Sequence, residues 1–297
     1  MNKPNCVIIG AAKAGTTSLY FYLSEHPDVF LPQQLKEINY FSGANKRIKT
    51  ESDYLALFND SGTYKVRMDI STSYLYDFDT PQKIKQMLGE QVKIIAFLRN
   101  PVNASYSLWK QIRHYGHETL SFEDALQEER KRMTNSANVL KDWPPNYYYT
   151  DRYKYAPQLQ RYFDVFSKDN IKVYIFEEFF SDLNGNWRDL CTFLGVDASF
   201  TPKRLGSIHN VGATGVKSTL IRDLIIKPFW WKKFFTWIIP ARIKNRFKLK
   251  IDDWNKVRNG ESEKPDNRTQ ELLQRIFFDD VRSLEALLGR SLDKIWF

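Results

Sequence analysis

The chain has 297 residues, 42% of them hydrophobic and 15% aromatic, with a net charge of +9. That apolar share allows a large core and excludes wholesale disorder. The excess charge is local: nine basic residues and one acidic residue, Asp223, lie between Arg222 and Lys250, a distribution unlike that of a uniformly basic nucleic-acid binder, so no nucleic-acid partner is expected.

Val7-Ile8-Ile9 is a short apolar run that stops at Gly10, the pattern of a buried strand entering a tight turn. A helix begins with Ser18-Leu19-Tyr20-Phe21-Tyr22-Leu23 and ends near His26-Pro27. Further strands are predicted at 66–70, 93–98 and 171–176, and helices at 81–88, 102–114, 122–132, 155–166 and 187–194. Residues 133–150 and 255–270 read as loops. The alternation predicts an α/β fold: one domain over 1–297 with a P-loop-like central parallel sheet flanked by helices on both faces. Ligands bind such sheets at the carboxyl ends of the strands, so the residues just after Ile9, Leu98 and Phe176 are expected to line a site. Cys6 and Cys191 read as buried thiols, and no Cys/His cluster has metal-ligand spacing, so no metal is expected. The first apolar run is too short for a secretory signal and no stretch reaches membrane-spanning length, which makes the cytoplasm the expected compartment.

Gly10-Ala11-Ala12-Lys13-Ala14-Gly15-Thr16-Thr17 follows the first strand and opens the first helix. A loop in that place offers free N–H groups and the positive end of a helix dipole to a phosphate. Its spacing matches the nucleotide-binding P-loop except that Thr16 stands where the lysine belongs, and the lysine is Lys13 instead. The displaced cation argues against a triphosphate ligand. The plainer alternative is a glycine turn with a solvated lysine.

The segment 8–22 resembles the 5′-phosphosulfate loop of the PAPS-dependent sulfotransferase family (PAPS being 3′-phosphoadenylyl sulfate), in particular its heparan-sulfate-type and bacterial carbohydrate branch, with Lys13-Ala14-Gly15-Thr16-Thr17-Ser18-Leu19 as the shared core. The resemblance implies PAPS as donor co-substrate, held by Lys13, Ala14, Gly15, Thr16, Thr17 and Ser18, with Lys13 stabilising the leaving phosphate. The stretch from Ile94 to Ser107 resembles the family's 3′-phosphate segment and implies that role for Arg99 and Ser107. Arginine offers a planar fork of donors to a phosphate and serine one hydroxyl. Lys36-Glu37-Ile38-Asn39-Tyr40-Phe41 resembles the segment whose glutamate is the general base, which gives that role to Glu37. His114 is a second acceptor-side candidate, His117 a weaker one, and Lys217 a late candidate for the 3′-phosphate.

The likeness extends to about residue 215 and departs from the heparan-type pattern at Asp69-Ile70-Ser71-Thr72-Ser73-Tyr74, where Ile70 replaces a lysine; paired late cysteines are also missing. Both departures favour the bacterial branch. The resemblance implies a hydroxyl or amine acceptor on a carbohydrate or glycolipid. The segment at about 222–251 mixes Phe229, Trp230, Trp231, Phe234, Phe235 and Trp237 with its basic residues, which suits peripheral contact with an anionic membrane, or simple packing of a helix. Two rivals are a P-loop kinase or NTPase and a catalytically dead glycan- or membrane-binding module.

Overall fold

The computed structural model describes residues 2–44, 48–134, 143–207 and 264–297, together with a two-residue antiparallel backbone pair at Gly215–Val216 and Lys256–Val257. Five parallel strands form the central sheet: β1 (Cys6–Gly10), β2 (Val29–Phe30), β3 (Val66–Ile70), β4 (Lys93–Leu98) and β5 (Ile171–Ile175). Their order is β2-β3-β1-β4-β5. From β1 the chain runs to the edge strand β2, returns to β3 beside β1, and then crosses to β4 on the other side. A crevice therefore opens at the carboxyl end of β1, where such folds bind ligands. Every residue of β1 is buried, as a strand covered on both faces requires.

Helices cover the sheet: α1 (Thr16–Leu23), α2 (Glu51–Ala56), α3 (Thr80–Leu88), α4 (Pro101–His114), α5 (Phe122–Thr134), α6 (Tyr155–Phe163), α7 (Phe176–Ser181) and α8 (Leu183–Leu194). The start of α4 is set by Pro101 in its first turn and by the Asn100 side chain, which accepts from the N–H of Val102 at 3.0 Å and of Asn103 at 3.3 Å. Both thiols are buried and free, as expected, and burial pushes each up to about 12.

The sequence reading runs one residue too far at β5. Phe176 is the first residue of α7, and the acidic pair Glu177-Glu178 sits in that helix's first turn, where carboxylates meet the positive dipole end. A larger correction concerns α9 (Asn267–Leu288), 22 residues long, whose first turns fall inside the expected 255–270 loop. It buries Leu273, Phe277, Val281 and Leu284 along one stripe, each contributing about 1.5–3 kcal/mol. Its Asp280 accepts from the N–H groups of Tyr155 (2.7 Å) and Ala156 (3.2 Å), capping α6 from another part of the chain. A last short helix, α10 (Asp293–Trp296), turns Trp296 inward, and its carbonyl accepts from Asn100 Nδ2 at 2.8 Å. The C-terminal end thus braces the loop after β4. No helix among the described residues is long and apolar enough to cross a membrane.

Candidate active site

The chain leaves β1 at Gly10 and reaches α1 at Gly15, and both glycines are required by what surrounds them. Gly15 caps α1 with φ +83°, and a Cβ there would lie 2.9 Å from the Phe180 ring and 3.0 Å from Phe176. A Cβ on Gly10 would stand 2.9 Å from that of Leu75. Lys13 also takes a left-handed backbone, φ +66°. The loop's carbonyls are tied back into the protein. Lys13 O accepts from Arg99 Nη1 at 3.0 Å, and Ala12 O accepts from the Tyr153 hydroxyl at 3.3 Å. The N–H groups of Gly15, Thr16 and Thr17 have no acceptor among the described residues. Carbonyls turned away and N–H groups left open make a cradle for an anion at a helix N-terminus. Ala14 is fully buried behind it, and buried Ser18 engages the Tyr22 phenol.

Arg99 follows β4 and lies under this loop. Its guanidinium stacks on Phe176, 4.7 Å from the ring centroid, and its Nε is buried without a partner. Burial pushes its pKa down, while the Glu177 carboxylate opposes that shift. Ser107 is half-buried on α4, and no hydrogen bond joins it to Arg99 among the described residues. Part of the Arg99 fork is therefore spent on the loop itself, which makes the residue a brace as well as a candidate anion ligand.

Glu37 belongs to an irregular stretch facing the loop. Thr72 Oγ1 donates to Glu37 Oε2 at 3.1 Å, and Lys36 Nζ lies 3.8 Å from Oε1. Lys36 also donates to Thr17 Oγ1, so one ammonium links the carboxylate to the phosphate cradle. Burial pushes Lys36 down and Glu37 pulls it back up. A second cation, buried Arg152, feels the Glu37 charge; it donates to Asn146 Oδ1 at 2.7 Å and stacks on Trp143 at 4.8 Å. Trp143 in turn lines a cleft of about 480 Å³ with Tyr76, Phe78, Lys154 and Arg161.

Loop, Arg99 and Glu37 thus converge at the ends of β1, β3 and β4. His114 sits at the far end of α4, about 20 Å along the helix from Arg99, with its ring edge on Tyr115 at 5.3 Å. His117 is exposed. Lys217 and the basic aromatic segment at 222–251 lie outside the described residues. Sequence reasoning missed Thr72, Arg152 and Tyr153. The run Ser71-Thr72-Ser73 at a strand end was the available signal, since three hydroxyls in that place are well set to donate and accept across a crevice.

A parallel sheet with an anion cradle after its central strand and a carboxylate beside it is the layout of an α/β protein that holds an anionic ligand at its strand ends. Comparison with known proteins narrows the class. The model of the sulfotransferase domain matches residues 3–211, and the chain belongs to that family. A sulfotransferase from Alicyclobacillus acidocaldarius has a solved structure that is 29% identical, covers 99% of each chain and superimposes with a TM-score of 0.72. A mouse sulfotransferase solved with PAP, at 16% identity and TM-score 0.51 over 95% of this chain and 86% of its own, shares the fold. Among curated proteins, the bifunctional heparan sulfate N-deacetylase/N-sulfotransferase 1 of Caenorhabditis elegans is 34% identical over 115 residues, and its type 2 counterpart of Bos taurus 31% over 119. These matches cover 37% and 38% of this chain, which spans only 13% of the length of either relative.

Proposed function

We propose that this sulfotransferase uses PAPS as donor and transfers the sulfuryl group to a hydroxyl or amine of a glycan, with Glu37 as general base. The observation that supports the reading is the Lys36 ammonium, which lies 3.8 Å from the Glu37 carboxylate and donates to Thr17 of the anion cradle. The orphaned Arg99 Nε and the open N–H groups of Gly15, Thr16 and Thr17 suit the phosphates of such a donor. When bound, PAPS supplies a sulfuryl group on an activated phosphosulfate linkage. Glu37 takes the proton as the acceptor oxygen or nitrogen attacks sulfur and the bond to the bridging oxygen breaks. Lys13 and the loop N–H groups hold the charge that builds on the phosphate side, and Arg99 with Ser107 serve the 3′-phosphate. The displaced lysine suits a sulfated monophosphate better than a triphosphate.

The glycan acceptor is supported by the heparan sulfate relatives and by the adjoining cleft, whose aromatic rings stand among both cations and the carboxylates of Asp77 and Asp151. The segment at 222–251 would add contact with an anionic membrane from the cytoplasmic side. Thermal shift with PAP, AMP and ATP-Mg²⁺ tests the donor: PAP should stabilise the protein most, and a preference for ATP-Mg²⁺ would overturn the reading in favour of an NTPase.

A further inference from the structure

Glu37 lies in a stretch without regular secondary structure, yet that stretch is not loose. The N–H groups of Ile38 and Asn39 both donate to Ser71 Oγ, at 3.2 and 2.9 Å. The Ser71 hydroxyl spends its single proton on Asp69 Oδ1 at 2.8 Å. Asp69 closes the arrangement, since its other oxygen accepts from Tyr54 and Tyr74, each at 2.9 Å. Asp69 and Ser71 are completely buried. A hydroxyl has one donor and two acceptor sites, so a serine free to rotate could point its proton elsewhere. An acceptor-only carboxylate on one side removes that freedom and keeps both lone pairs aimed at the two amides. Asn39, held at φ +55°, is clamped further by Ser73 Oγ at 2.7 Å.

Building on the assignment of Glu37 as base, we infer that Asp69 and Ser71 are positioning residues: a buried carboxylate locks one hydroxyl, and that hydroxyl fixes the backbone that presents Glu37 to the donor. The hydrogen bonds of the Ser71 and Asp69 side chains involve no cradle residue; the cradle carbonyls are held by Arg99 and Tyr153, and the base segment meets the cradle through Lys36 and Thr17. The arrangement therefore acts first on where the base stands. Asp69 is charged at neutral pH, because burial lifts its carboxyl only to about 6.

The test uses the full chain and the variants Ser71→Ala, Asp69→Asn, Glu37→Gln and Glu37→Gln/Ser71→Ala. Hydrogen exchange over residues 36–41 reads the backbone directly. Transfer from labelled PAPS to a pool of unsulfated oligosaccharides, with sulfate release to water as the acceptor-free measure, reads the consequence. Ser71→Ala should speed exchange of that peptide about tenfold through loss of two hydrogen bonds, lower kcat about 10- to 100-fold, and leave KM for PAPS within about twofold. Asp69→Asn should move both readouts the same way by less. The double variant should be no slower than Glu37→Gln alone. Unchanged exchange in Ser71→Ala, or faster exchange with wild-type turnover, overturns the inference, and wild-type behaviour of Asp69→Asn removes that residue from it. An active Glu37→Gln enzyme overturns the base assignment instead, while the exchange data still decide whether Ser71 holds the backbone.

Discussion

The two halves of the site are held by different means. The anion cradle at 10–17 takes its backbone course from its own residues, two glycines between one strand and one helix with three consecutive open N–H groups, and Arg99 and Tyr153 only brace its carbonyls from outside. The base segment at 36–41 has no such internal order and takes its shape from side chains more than thirty positions away, Ser71, Thr72 and Ser73. A local object should fail when its backbone is forced. A borrowed one should fail when a distant hydroxyl is removed.

The sharpest break on the cradle side is Lys13→Ala. Loss of the cation at the departing phosphate is expected to lower kcat about 10²- to 10³-fold, measured by PAPS turnover, with the fold intact by circular dichroism. Gly15→Ala comes next: with φ at +83° and two phenylalanine rings about 3 Å from the added methyl, it should cost about 2 kcal/mol in denaturant unfolding. An unchanged midpoint would show that the loop tolerates movement at its cap. On the base side, pH separates Asp69 from its neighbours. Burial raises its carboxyl from 3.8 to about 6, so the native state holds the proton more tightly than the unfolded chain between those values. Stability should fall as pH rises through that window, by on the order of 2 kcal/mol. Asp69→Asn should lack this slope, and the difference between the two stability curves from pH 4 to 7 isolates it from Asp280, which is raised to about 6 as well. Parallel curves would mean that Asp69 is not the titrating group.

The same contrast explains what could be read from the chain alone. The glycine loop, the four principal strands and Arg99 at the end of β4 follow from patterns within a dozen residues, and they were legible. The brace role of Arg99 was not, because its partners, Lys13 O and Phe176, come from other strand ends. Glu37 is legible through a family motif, whereas Asp69 and Ser71 stand out in the sequence only for the lysine missing between them. The helix α9 escaped because recognisable motifs stop near residue 215, although its stripe of Leu273, Phe277, Val281 and Leu284 is ordinary helical periodicity.

The central claim is that a carboxylate tethered to the cradle removes the acceptor's proton. Glu37→Gln keeps the shape and removes the basicity. With PAP affinity measured by calorimetry beside sulfuryl transfer from labelled PAPS, the expected result is turnover reduced about 10³-fold with PAP binding within about twofold of the parent. Parent-level transfer by Glu37→Gln would contradict the account and move the proton acceptor to another group.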